Sequence, residues 1–137
     1  MRSLRLYLAG PMTGIPQYNF PAFDQAAAVL RDIGYDVVNP TETDPEDVQD
    51  LARASTNGDP TTDGISHLEP LEVTAVRNVH EVVGCDAVAL LNGWHRSPGT
   101  RHEVETAHRF GKPVAPVFLW TLAGFHMTDT REAVLYG

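Results

Sequence analysis

The chain is poor in cysteine, in long apolar runs and in positive charge. Its single cysteine, Cys85, allows no disulfide within the chain and no zinc site built on paired cysteines. A reducing, cytoplasmic setting fits that usage. Cys85 lies between Gly84 and Asp86 at the start of an apolar run, and reads as a small core residue rather than a reactive thiol. No apolar run approaches the roughly 18 residues of a membrane span. The short run behind the two N-terminal arginines is too brief for a signal peptide. The net charge of −8 speaks against wrapping a nucleic-acid polymer or coating an anionic membrane, both of which need dense Lys and Arg. A small anionic ligand is still compatible, because a few backbone amides suffice to hold one.

Several motifs are also missing. GPMTG, at 10–14, lacks the Gly-Lys-Ser/Thr ending of a Walker loop and is not a dinucleotide fingerprint. No GxSxG elbow accompanies the serines. The six histidines are scattered, and His102 and His108, six apart, do not share a helical face. No metal site and no cofactor is expected. Asp59 and Asp63 sit among turn formers, but the later bidentate glutamate of a calcium loop is missing.

What is present suits one domain, residues 1–137, around one core. Hydrophobic residues make up 42% and charged residues 20%. Leu4 to Ala9 reads as a buried first strand, followed by a Gly/Pro-rich loop to Asn19. Asn19 is placed to cap a helix with Pro21 in its first turn. Phe20, Phe23, Ala27, Leu30 and Ile33 give it an apolar face, and Gly34 ends it. Residues 35–40 read as a second strand. An acidic insert follows at about 43–68, with a short helix over 44–54 and a mobile loop over 57–66. Pro70 opens a helix to about Val83. Asp86 to Leu91 is a third strand, Thr100 to Phe110 a helix, and Pro113 to Leu119 a fourth strand. A tail from about 120 to 137 carries Trp120, Phe125, Met127, Leu135 and Tyr136, and is expected to pack on the body or on a neighbouring subunit. Alternating strands and helices predict a doubly wound, Rossmann-like or flavodoxin-like parallel sheet of four to five strands.

In such a sheet, ligands collect at the carboxyl ends of the strands. Three loops should meet there: 10–19, 39–43 and 92–99. The last leads into a helix that carries Glu103, expected in its first turn. An acidic residue there can simply favour the helix dipole. It can also be a nucleophile beside an anion site, since Ser97, Gly99 and Thr100 offer hydroxyls and amides. Tyr7, on the first strand, could hydrogen-bond that carboxylate. Trp94 could stack on a base or merely pack. Glu105 and His80 read as solvated.

The stretches RLYLAGPMTGIPQYNFPAFDQAAAVLRDIGYDVVNPTE and CDAVALLNGWHRSPGTRHEVETAHRFGKPV together resemble the nucleoside 2-deoxyribosyltransferase-like superfamily. The likeness is to its small, often phage-borne branch with a YLAGPMTG start and a GWxxSxGxxxE stretch. It covers about two thirds of the chain, leaving out the insert and the tail. The resemblance implies a flavodoxin-like sheet, a homodimer or larger homo-oligomer, and attack on the anomeric carbon of a 2-deoxyribonucleoside or its 5′-monophosphate. By that match Glu103 is the nucleophile and Tyr7 orients it. Gly10, Pro11 and Met12 form the loop near base and sugar. Ser97 and Gly99 help hold a 5′-phosphate, and Asp86 corresponds to the aspartate opening the third strand. Where relatives carry an acid/base aspartate, this chain has Asn78, and an amide cannot donate and accept a proton in turn. Asp36 and Glu42, near the second strand, are the acidic groups that could substitute. Two other readings stand beside this one: a binding module that captures a nucleotide without turning it over, and a structural subunit whose acidic insert meets a partner.

Overall fold

The computed structural model describes residues 3–69, 71–123 and 125. Four strands are found among the described residues: β1 (Arg5–Ala9), β2 (Asp36–Val38), β3 (Ala87–Leu90) and β4 (Val114–Pro116). All pair in parallel in the order β2-β1-β3-β4, with Tyr7 opposite both Val38 and Val88. β1 and β3 are central, so they are apolar on both faces, and Leu6, Tyr7, Leu8, Val88 and Ala89 are fully buried. Right-handed crossovers place α1 (Phe20–Ile33) on one face. The other face carries α6 (Leu71–Gly84) and α7 (Pro98–Arg109), which pack against each other. The architecture is the doubly wound α/β sheet that the alternation of elements predicts.

The differences lie at the element ends. Phe20, Phe23, Ala27 and Leu30 are buried, but Ile33, in the last turn before Gly34, stays half exposed. Asn19 stands at the cap position without capping. It is left-handed at φ 63°, as are Gln17 and Tyr18, and its amide donates to the Pro11 carbonyl at 3.0 Å. β2 stops early because Asn39 caps a single turn, α2 (Pro40–Thr43), accepting from the Thr41 amide at 3.1 Å. β4 ends at Pro116, and the chain turns into α8 (Val117–Trp120) instead of continuing as strand to Leu119. Trp120 anchors that turn: its buried indole N–H reaches the Val88 and Ala115 carbonyls, both at 3.1 Å. Phe125 packs edge-on against Trp120. Met127, Leu135 and Tyr136 lie outside the described residues.

The acidic insert carries the short helix expected over 44–54, and its stretch over 57–66 holds more structure than the mobile loop expected there. After α3 (Glu46–Ala54) come two single turns, α4 (Pro60–Asp63) and α5 (Ile65–Leu68). Asp59 caps α4, and Asp63 accepts from the Tyr18 hydroxyl at 2.5 Å and the Ser55 hydroxyl at 3.0 Å. The two aspartates thus serve as turn caps and loop fasteners. The insert is fastened to the loop after β1 by Gly14 N–H to the Gly58 carbonyl and Gln17 N–H to the Ser55 carbonyl, both at 2.8 Å. Gly58 has φ +66°, and a Cβ there would lie 2.3 Å from the Ile15 carbonyl oxygen.

Candidate active site

α7 starts two residues earlier than the sequence suggests. Ser97 caps it, accepting from the Thr100 amide at 3.2 Å, and Pro98 occupies its first position, where a missing N–H costs nothing. Glu103 therefore lies in the second turn rather than the first. Its carboxylate does not reach the free amides of the helix start. Instead it turns inward against β1, where it is only 9% exposed.

There the Tyr7 hydroxyl donates to Glu103 Oε2 at 2.9 Å. Burial pushes the Glu103 carboxyl up to about 7, the Tyr7 hydrogen bond opposes that rise, and the nearby charge of Glu81 adds to it. Burial first, and then the Glu103 charge, push the Tyr7 phenol well above its ordinary value. Tyr7 is thus a fixed neutral donor, and Glu103 is a carboxyl that changes state near neutrality. Replacing Tyr7 with phenylalanine removes the interaction that favours the ion. We expect the Glu103 pKa to rise further above 7, read by carbon-detected NMR titration of the carboxyl.

The loop after β1 meets α7 directly. The Thr100 hydroxyl, fully buried, donates to the Gly10 carbonyl at 2.8 Å. Gly10 itself is packed against Leu91 at the end of β3, where a Cβ would come within 2.7 Å of the Leu91 Cβ. Pro11 is half-buried, with its ring next to Gly93, and Met12 packs on the core. Trp94 lies on the short turn Trp94–Arg96 that leads into α7. Its indole Nε1 is buried with no acceptor. Gly99 is exposed and Ser97 half-buried at the helix mouth.

Asp86 is elsewhere. It stands at the amino-terminal edge of β3, accepting from the Arg5 amide at 2.8 Å, across the length of the strand from Gly10. The structure does not bring it to Glu103. Asp36 pairs with Arg5 at 3.1 Å, and Glu42 makes two bonds to Arg31 at 2.6 and 2.9 Å, all at the surface. Both candidate replacements for a missing acid are thereby engaged. Asn78 sits half-buried on α6, with its Oδ1 unpartnered.

One turn further along α6 is Glu81, which the sequence reading passes over. Its Oε2 is buried without a partner, and its charge is felt at both Tyr7 and Glu103. Behind it, Arg77 pairs with Asp44 and Glu69, and the Thr74 hydroxyl donates to Glu69 at 3.0 Å. Burial pushes Asp44 up to about 6 against the pull of Arg77. The only sequence signal for this group is the i, i+4 spacing of Arg77 and Glu81. The loop over 39–43 is held by Asp24, which accepts from Asn39 at 3.1 Å, Thr41 at 2.8 Å and Arg53 at 2.9 Å.

Two surface cavities are lined by other residues. One, about 510 Å³, runs along α1 past Leu90 to Asn92 and Phe118; the other, about 330 Å³, lies near Tyr35, Asp86 and Trp120. The Glu103–Tyr7 pair sits instead in the seam between β1 and the helices α6 and α7. No helix among the described residues is long and apolar enough to cross a membrane.

A buried carboxyl poised near neutrality and held by a strand tyrosine, on a helix whose Thr100 is bonded to the loop after β1, can attack or steady an electron-poor carbon. No curated protein and no solved structure matches the chain. Residues 4–116 match the family defined by a domain of unknown function, DUF4406, and with most of its length inside that match the chain belongs to this family.

Proposed function

We propose that the protein cleaves or exchanges the N-glycosidic bond of a 2-deoxyribonucleoside or its 5′-monophosphate, as a member of the nucleoside 2-deoxyribosyltransferase-like superfamily acting in the cytoplasm as a homo-oligomer. The observation that carries this reading is the buried hydrogen bond from Tyr7 to Glu103. It is the arrangement expected of a nucleophile and the group that orients it. Breaking the bond builds positive charge on the sugar, and the Glu103 carboxylate would stabilise that charge or bond to the anomeric carbon. A 2-deoxy sugar forms the cation more readily because it lacks an electron-withdrawing hydroxyl. Gly10, Pro11 and Met12 would flank the sugar and base, Trp94 would offer its ring and indole N–H, and the Ser97–Thr100 turn would take the phosphate. Asp86 has no part in this reading, given where it lies.

A non-catalytic nucleotide-binding module is favoured by one observation, the amide at Asn78 in place of an acid. A panel of deoxynucleosides and deoxynucleotides, with free base followed by chromatography, separates the two. Turnover of any member that is lost on Glu103→Gln supports the enzyme. Ligand-induced stabilisation with no base released from any member supports the module.

A further inference from the structure

We infer that the loop after β1 is a strained two-state segment, and that the acidic insert is the clamp that holds it in its strained form. The bearing of this device on the site rests on the reading that places Pro11 and Met12 beside a sugar and base. The device itself does not depend on what the site binds.

The backbone is unusual at 17–19. Gln17, Tyr18 and Asn19 are left-handed in succession, at φ 57°, 52° and 63°, and none is a glycine. L residues visit that region singly and at a cost, because Cβ crowds the following carbonyl oxygen. Asparagine tolerates it, whereas a bulky residue such as tyrosine does not. Such a run persists only where the surrounding structure over-determines it.

Here the insert supplies that structure. The Gln17 amide donates to the Ser55 carbonyl and the Gly14 amide to the Gly58 carbonyl, both at 2.8 Å. The Tyr18 hydroxyl donates to Asp63 at 2.5 Å. Ser55 ties the pieces of the insert together: its hydroxyl donates to Asp63 and accepts from the Gly58 amide, both at 3.0 Å. Tyr18, Phe20 and Ala52 form a small buried cluster of their own, against which Met12 and Ile65 pack. α4, at the tip of the insert, buries none of its residues. A patch with so few apolar contacts opens at a lower cost than the sheet does. Arg77 pins both ends of the insert by pairing with Asp44 and with Glu69, so the tip over 55–63 is the part that lifts.

Hydrogen bonds carry the state of this loop on to α7. The Asn19 side-chain amide donates to the Pro11 carbonyl at 3.0 Å, and the adjacent Gly10 carbonyl accepts from the Thr100 hydroxyl at 2.8 Å. When the tip lifts, residues 17–19 relax to ordinary backbone, Asn19 releases Pro11, and the chain takes another course between Gly10 and Phe20. The insert thereby sets where Pro11 and Met12 stand.

The test is amide exchange by NMR in the protein without ligand, expressed as protection factors. In wild type the Gly14 and Gln17 amides are expected to open together, at least about tenfold less protected than the amides of β1. Tyr18→Phe removes one clamp bond to a carboxylate and should lower the protection of both by about tenfold. Gln17→Gly relieves the strain and should raise both by about threefold. Gln17→Ala keeps a Cβ on the same backbone and should stay within about twofold of wild type. Continued protection of the β1 amides shows that each variant is folded. Three results would each overturn the inference: the two amides opening only together with β1, Tyr18→Phe affecting one of them and not the other, or Gln17→Gly being no better protected than Gln17→Ala. No substrate enters these measurements, so a failure to release base would count against the proposed activity and leave the exchange result standing.

Discussion

Glu103→Gln is expected to make the protein more stable above neutral pH while removing the proposed activity. The physical reason is the cost of holding an ion in the seam. In the unfolded chain Glu103 titrates near its ordinary 4.5, and in the folded protein near 7. The folded state therefore binds the proton more tightly. Its contribution to stability is fully present below about pH 4.5 and is lost as pH rises through about 7. A shift of that size corresponds to roughly 3 kcal/mol at pH 8. Glutamine is neutral at every pH, fills the same volume, and still offers an oxygen to the Tyr7 hydroxyl. Thermal melts should show little difference between wild type and variant at pH 4.5. At pH 8 the variant should melt roughly 10 °C higher. On the proposed reading of Glu103 as nucleophile, product formation should fall by about 10³-fold or more, since the glutamine amide cannot replace the carboxylate. Equal melting shifts at both pH values would show that Glu103 is not held at an energetic cost. A stabilised variant with unchanged turnover would separate the burial of this carboxyl from any role in catalysis.

The second large effect is expected at Gly58, far from the reacting groups in sequence. Gly58→Ala should destabilise the protein by about 2–4 kcal/mol, measured by urea denaturation. Two costs combine. At φ +66° any L side chain is strained, and the new methyl would lie 2.3 Å from the Ile15 carbonyl oxygen and 2.7 Å from the Ile15 nitrogen. Both neighbours are backbone, so neither can swing aside. The insert must lift off the loop after β1, breaking the Gly14–Gly58 bond. Because that loop carries Pro11 and Met12, the deoxynucleotide binding proposed above should weaken as well. A variant as stable as wild type would show that insert and loop part without cost.

The sheet was legible because its strands advertise themselves. RLYLA and AVAL are apolar on both faces, as central parallel strands must be, and Gly34 and Pro40 mark where elements end. The pairing of Tyr7 with Glu103 follows from the family resemblance and from Tyr7's place near the carboxyl end of the first strand, since a strand residue and a helix residue 96 positions apart show no local signal. The start of α7 is hidden because Ser-Pro-Gly reads as loop by composition. A serine cap with proline at the first helical position accounts for all three residues, and it moves Glu103 by half a turn. The helix over 44–54 is legible from the sequence, whereas 57–66 reads as a mobile loop because Asn57, Asp59 and Asp63 are turn formers by composition. What closes it is Tyr18 and Ser55, whose hydroxyls reach Asp63 from outside the segment. Glu81 was invisible for a related reason. On an amphipathic helix a glutamate beside an arginine looks like a solvated ion pair. In the fold its Oε2 is buried, and Arg77 makes its ion pairs with Asp44 and Glu69.

The two outer strands, β2 and β4, span three residues each. One begins with the charged Asp36, and the other finishes on Pro116, which has no amide hydrogen to offer. So little unpaired backbone is presented at either margin that a stray extended peptide finds almost no template to add itself to. Among the described residues, self-association through edge-to-edge β-pairing is accordingly disfavoured.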